Sequence, residues 1–318
     1  MSAFFTNCAS AQEKINVSSN SNIINPVSIA VTQHNYYALN QTSWGYELLV
    51  YTDESNEFNS IPLDEEIASS YDSVFLAADR NRLLLVSLSH NAAYELTLSN
   101  NRTSVQSQCI IKWSKNRVFL DLDEFGEQYI ISPENAIVCD NCILLLVKRY
   151  QNKQEKSTII SISLQDGCIQ ALALEDVTEF ASYKDHSFLF LQSKSNGQLD
   201  LMYYDLLQQA SFSVKNGIGE IESISQIQYD IEVQEIYFLN GQRIIKLSID
   251  GAETQVGYID SPYLDRMDVL GSHAIISLSG EFLQIVLCAY ESQPTLTIYG
   301  AGDFDRAVAF LRQEIPNL

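Results

Sequence analysis

Phe188-Leu189-Phe190-Leu191, a polar turn through Asn196-Gly197, and Leu199-Asp200-Leu201-Met202-Tyr203-Tyr204 decide the fold. Two short apolar, aromatic-rich runs flanking an Asn-Gly pair read as a β-hairpin, because a type I′ turn needs positive φ at both central residues and Asn-Gly tolerates it. The same device recurs at Ile236-Tyr237-Phe238-Leu239, Asn240-Gly241 and Ile244-Ile245-Lys246-Leu247. Four further hairpins carry different turns. Tyr36–Leu39 turns at Trp44-Gly45 into Tyr46–Tyr51, and Leu83–Leu88 turns at His90-Asn91 into Tyr94–Leu98. Ile143–Val147 pairs with Thr158–Ile162, and Ala274–Leu278 turns at Gly280 into Phe282–Leu287.

Counted from Asn35, Arg82, Cys142, Ser187, Glu235 and Ala274, the hairpins repeat every 47, 60, 45, 48 and 39 residues. A period of roughly 40–50 residues is that of a four-stranded propeller blade. Weaker apolar segments between the hairpins supply the remaining strands, among them Val27–Val31, Val118–Leu120, Glu179–Tyr183 and Ser223–Ile227. The long second interval, holding Asp121–Gly126, reads as an insertion. The expected fold class is therefore all-β: a β-propeller of about six four-stranded blades, with a short C-terminal strand-helix tail and a β-sandwich array as its rival. Radial repetition leaves only short sheet edges, which keeps so long an all-β chain from edge-to-edge association.

Three parts are expected. Residues 1–26, rich in Ser and Asn, form a flexible polar leader; residues 27–293 form the propeller. Residues 294–318 begin a further α/β domain or supply a helix packed on the propeller. In that tail Pro294–Gly300 reads as a strand, while Phe304, Ala307, Val308 and Leu311 fall on one face of a helix. Asp303 caps that helix and Pro316 stops it.

Forty acidic against nineteen basic residues give a formal charge of −21. Nucleic acid and anionic membrane surfaces are excluded as partners, since both demand cationic contacts. No stretch reaches the roughly 18 apolar residues of a membrane span, so direct membrane insertion is not expected. Six cysteines are too few for a disulfide scaffold of this length. Cys139-Asp140-Asn141-Cys142 lies between apolar runs, the place of a tight turn flanked by thiols, and no second pair completes a zinc site. No metal and no cofactor are expected. The sequence lacks GxSxG, HExxH and Walker A patterns. Gly300-Ala301-Gly302 has Asp305 where a dinucleotide loop needs its third glycine. Asp121, Asp123 and Gly126 fail as a calcium loop, with Phe125 at a ligand position and Ser132 in place of the bidentate Glu.

His34, His186 and His273 share one position, just ahead of a hairpin strand, and would line one mouth of the propeller channel. A repeated packing role is the plainer reading of that repetition. Together with the turn aromatic Trp44 they are the expected ligand-binding residues; His90 lies in a different turn and is expected to be exposed.

Thr295–Gly300, a short linker and Ala307-Val308-Ala309-Phe310-Leu311-Arg312-Gln313-Glu314-Ile315-Pro316-Asn317 resemble the opening of the extracellular solute-binding proteins of ABC importers. Some bacterial lipoproteins join a propeller-like N-terminal region to such a domain. The tail departs from the family in ending Phe-Leu-Arg-Gln-Glu-Ile-Pro where Phe-Asn-x-x-x-Pro is usual. The resemblance implies a non-enzymatic, cell-surface anchored extracellular propeller of a solute-binding protein. Its partners would be a glycan or peptide ligand and the adjacent solute-binding domain. It also implies a lipid anchor in the full-length protein, although Phe5-Thr6-Asn7 ahead of Cys8 lacks the small residue that lipidation wants. Two other classes stay open: a propeller enzyme of lyase or glycosidase type acting at the central axis, and a WD40-like interaction scaffold. The second would show Gly-His and Trp-Asp pairs, which the sequence lacks.

Overall fold

A computed structural model describes residues 26–32, 35–52, 57–69, 74–79, 81–100, 103–114, 129–151, 154–248, 251–258, 264–270, 273–278, 282–287 and 296–300. These residues form antiparallel four-stranded sheets, each built from consecutive strands. Sheet one holds β1 (Pro26–Thr32), β2 (Asn35–Gln41), β3 (Tyr46–Thr52) and β4 (Glu57–Pro62). Sheet two holds β5 (Val74–Ala78), β6 (Leu83–Ser87), β7 (Ala92–Leu98) and β8 (Val105–Lys112). Sheet three holds β9 (Tyr129–Cys139), β10 (Cys142–Gln151), β11 (Gln154–Ser163) and β12 (Ile169–Ala171). Next come β13 (Val177–Ser182), β14 (Ser187–Ser193), β15 (Gln198–Asp205) and β16 (Ala210–Glu220). They are followed by β17 (Ile224–Asp230), β18 (Glu235–Asn240), β19 (Arg243–Leu247) and β20 (Glu253–Tyr258). In these five blades side chains are described across most strands. The last sheet, β21 (Leu264–Leu270), β22 (His273–Leu278), β23 (Phe282–Leu287) and β24 (Leu296–Gly300), is described mainly in its backbone.

The first strands lie side by side around an axis: β1 beside β5, β5 beside β9, β9 beside β13, β13 beside β17, β17 beside β21, and β21 back beside β1. This is an all-β propeller of four-stranded blades. Every sheet is made of contiguous sequence, so the ring closes by packing β21 against β1 and not by sharing a blade between the two ends.

Stacking each sheet between two neighbours explains why the second strands are apolar throughout rather than alternating. In β10, Ile143, Leu145 and Val147 enter the cluster shared with sheet two, while Leu144 and Leu146 enter the cluster shared with β13–β16. In β14, Phe188 and Phe190 face β9–β12, and Leu189 and Leu191 face β17–β20. All four of these β14 residues are 0 % exposed. Successive residues point to opposite faces, and both faces are core. The outer strands alternate with solvent: Phe212 and Lys215 of β16 are not buried, nor are most residues of β8.

The axial edges of the first strands would otherwise expose unpaired ladder groups. Side chains from the first strand of the preceding blade satisfy some of them. Leu76 N donates to Ser28 Oγ at 3.0 Å, Met267 N to Gln226 Oε1 at 3.2 Å, and Gln228 Nε2 to Met267 O at 2.9 Å.

The hairpins fall where the sequence placed them, but the Asn-Gly turns differ from the expected type I′. Gly197 N donates to Lys194 O at 2.9 Å and Gly197 has φ +79, while Asn196 keeps negative φ. This is the three-residue loop in which a turn is followed by a left-handed glycine. At the other site Asn240 pairs with Arg243, so Gly241 (φ +57) is the first of the two turn residues. Positive φ at the first position alone is the II′ pattern. Cross-strand register, not the dipeptide, selects which residue turns.

Leu296–Gly300, read above as the opening strand of a second domain, is hydrogen-bonded to β23 as the outer strand of the last sheet. The expected helix at 304–311, the leader to residue 25 and the insertion at 121–126 lie outside the described residues.

Candidate ligand-binding site

The described turns from first to second strand lie at the same end of the ring. Where the first strands end, these turns surround a cavity of about 510 Å³. Its lining draws on all the axial strands: Ile29–Thr32, Ala78, Ala136–Cys139, Phe180 and Ser182, Gln226, Gln228 and Tyr229, and Met267–Asp268. The turns add Asp79, Asn81, Arg82, Asp140 and Tyr183–Ser187. A concave site of this volume, with an apolar wall and a few convergent polar groups, suits a small ligand.

The rim is tied together across blades. Asp79 organises its own turn, its Oδ1 accepting from Asn81 N at 2.9 Å and Arg82 N at 2.8 Å. The Arg82 guanidinium bonds the Asp79 carboxylate through Nε at 2.8 Å and reaches the Asp140 carbonyl of the next blade at 2.9 Å. Asp140 has φ +56, and its carboxylate lies 3.3 Å from His186 Nδ1. That contact is an ion pair when the imidazole is protonated; it lacks the alignment of a hydrogen bond, and Nδ1 has no hydrogen-bond partner. Cys139 Sγ completes the link from the third sheet to the fourth by donating to the Ser187 carbonyl at 3.3 Å.

Next to His186 stands an aromatic wall. The Tyr183 and Tyr229 rings meet edge to face at 4.7 Å, and the Lys184 ammonium lies 5.0 Å from the Tyr183 ring centre. A hydrogen bond with Tyr183 raises the Lys184 pKa above the ordinary lysine value, so it stays charged. Burial, reinforced by the Asp140 carboxylate, pushes the Cys139 thiol up to about 12. Both shifts favour the protonated, non-nucleophilic forms.

Of the four residues expected to bind ligand, His186 lines the cavity. His34 lies outside the described residues; His273 opens β22, paired with Leu270 and Leu287, and its side chain is outside them. Trp44 does not belong to this site. It sits in the β2–β3 turn, at the opposite end of β2 from the cavity, and is 83 % exposed. Successive turns of an antiparallel sheet alternate between its two ends, so a β2–β3 turn cannot join β1–β2 turns. His90, in the β6–β7 turn, is exposed as expected.

Sequence reasoning missed Asp79, Arg82, Asp140, Tyr183 and Tyr229. The turns ahead of the second strands do line the cavity, but selecting them by histidine left these residues out. A comparison of that turn across all blades for any polar residue would have found Asp79-Arg80-Asn81-Arg82, Asp140-Asn141 and Lys184-Asp185-His186 together. Among the described residues no cluster of His, Cys, Asp or Glu could hold a metal ion. The expected turn at Cys139-Asp140-Asn141-Cys142 is present, with β9 ending at Cys139 and β10 starting at Cys142.

The ring of four-stranded blades around an axial cavity defines the class, a β-propeller. No family model matches the sequence, and no curated protein does either. Solved structures share the fold. A chain of a nidogen/laminin complex superposes with a TM-score of 0.53 at 10 % identity, over 83 % of this chain and 96 % of that one. A putative TolB from Agrobacterium tumefaciens gives 0.50 at 12 % identity, over 82 % and 92 %. Identities this low make the likeness one of fold.

Proposed function

We propose that the chain is a non-enzymatic ligand-binding propeller that takes a glycan or peptide into the axial cavity. The observation that carries this reading is the cavity itself: first strands from around the ring converge on a concave, apolar-walled space with a cross-blade polar rim. Tyr183 and Tyr229 offer ring faces to a sugar or a side chain. Asp140 and His186 offer an acceptor and an imidazole to hydroxyl or amine groups. Binding fits better than catalysis because the rim carboxylates of Asp79 and Asp140 face Arg82 and His186, and Cys139 and Lys184 are held in unreactive protonated forms.

The test is calorimetric titration with glycan and short-peptide libraries on the wild type and on His186→Ala and Tyr183→Ala. Saturable binding lost in both variants is the expected result. Binding that survives both substitutions would overturn the site. Turnover of a bound glycan would favour the axial enzyme instead.

The reading extends to location and partner: an extracellular, surface-anchored propeller serving the solute-binding domain of an importer. Its support is the tail's resemblance to such domains, resting on 301–318 because the preceding strand is part of the last sheet. Reading the gene past the codon for Leu318 tests it. Several hundred codons of alternating strands and helices would support the attachment, and an immediate stop would remove it.

A further inference from the structure

We propose that Cys139 and Cys142 form a reversible cross-strand disulfide, making the β9–β10 turn a redox site on the rim of the axial cavity. The two residues close the turn Asp140-Asn141 and are direct partners in the antiparallel register. Directly opposed residues carry their side chains on one face, with Cα atoms about 4.5–5.5 Å apart. That separation lies within the roughly 4.4–6.8 Å a disulfide spans. The burial agrees with the register: Cys139 belongs to the apolar cluster between the third and fourth blades, and Cys142 packs against the same cluster. Both are free thiols, and the other described cysteines, Cys109 and Cys168, are exposed on outer parts of the blades.

The rim would register the change. In the reduced protein Cys139 Sγ donates to the Ser187 carbonyl, next to His186. A disulfide sulfur has no proton to donate, so oxidation removes this tie between blades. It also cross-links the two residues that close the turn holding Asp140, whose carbonyl holds Arg82 and whose carboxylate faces His186.

The oxidant is a low-molecular-weight disulfide. The more accessible Cys142 thiolate attacks one of its sulfurs, forming a mixed disulfide and expelling one thiolate. Cys139 then gives its proton to solvent and attacks Cys142 Sγ, forming the internal bond and expelling the second thiolate. Two protein thiols are oxidised, and one small disulfide is reduced to two thiols. Burial raises the Cys139 thiol, so the second step, which needs its thiolate, accelerates as pH rises.

The experiment is incubation of the full chain with oxidised glutathione at pH 8, acid quench and peptide mapping. The expected product is a Cys139–Cys142 cross-linked peptide that has lost two hydrogens and is restored by dithiothreitol. Cys139→Ser should instead trap glutathione on Cys142, since no resolving thiol remains. A glutathione adduct on Cys142 of the wild type that persists when the pH is raised to 10 would overturn the proposal. So would unmodified Cys139 and Cys142 in a sample whose Cys109 and Cys168 have reacted. An imidazole resonance of His186 that moves on oxidation of the wild type, but not of Cys139→Ser, is expected; an unmoved one would overturn the link to the rim.

Discussion

Truncating Phe188 tests how the cavity wall is supported. The side chain is 0 % exposed and sits two residues after His186, in the cluster between the third and fourth blades. It has three ring partners: Tyr204 stacked at 5.4 Å, Phe190 at 6.1 Å and Phe180 edge-on at 6.3 Å. Phe→Ala in a core costs about 3–5 kcal/mol, through lost transfer free energy and the cavity left behind. A β-sheet interior leaves little room for collapse, and each ring pair adds about 0.5–1.5 kcal/mol beyond area. Phe188→Ala therefore belongs at the upper end, about 4–5 kcal/mol. Phe188→Leu keeps most of the volume and should cost less than half as much. With a urea dependence of about 3 kcal/mol per molar, appropriate to a large cooperative unit, the Ala variant's midpoint should fall by about 1.5 M at unchanged slope. Equilibrium urea unfolding followed by tyrosine and tryptophan fluorescence reads this directly. A loss below about 1 kcal/mol would refute the description of tightly stacked blades.

Asp200 is nearly buried and bonded to Lys194 Nζ at 2.6 Å and Gly217 N at 2.8 Å. Burial alone would raise its pKa, but these two bonds outweigh it and the net shift is downward. Its contribution is therefore present above the ordinary carboxylate value of about 4 and lost as pH falls through the lower folded value; Asp200→Asn should flatten the acid limb of a thermal-melt series. The Cys139 thiol, raised from 9.0 to about 12, acts at the other extreme. Below pH 9 its contribution is complete, and it is lost as pH climbs toward 12, so Cys139→Ala should show a smaller alkaline loss of stability than the wild type. In timed alkylation at pH 8, Cys109 and Cys168 should label well before Cys139. Trp44→Ala should change stability by no more than about 0.5 kcal/mol and leave binding in the axial cavity untouched, because the residue is exposed on the opposite face; a loss of binding measured by calorimetry would place a ligand there.

Strand identity and hairpin pairing were legible in the sequence because they depend on neighbours in the chain. Apolar runs of four or five residues, punctuated by Gly, Asn and Asp, identify β6–β7, β14–β15 and β18–β19 without long-range information. The repeat length then limits the architectures in which so many hairpins can be buried. The doubly buried runs, Ile143–Val147 above all, already require a sheet covered on both faces.

The site was legible only in its locus. Arg82 meets Asp140, and His186 meets the same residue, because the stacking of successive blades sets turns 45–60 residues apart in sequence side by side. No local pattern carries that adjacency. The two ends of a blade also look alike along the chain; their separation into opposite faces, which removes Trp44 from the cavity, follows from the antiparallel order of the sheet. Turn type was likewise settled by cross-strand register, which made Gly241 the first turn residue although Asn240-Gly241 reads as a type I′ pair. Local chemistry determined the elements, and the closed ring determined which of their ends face one another.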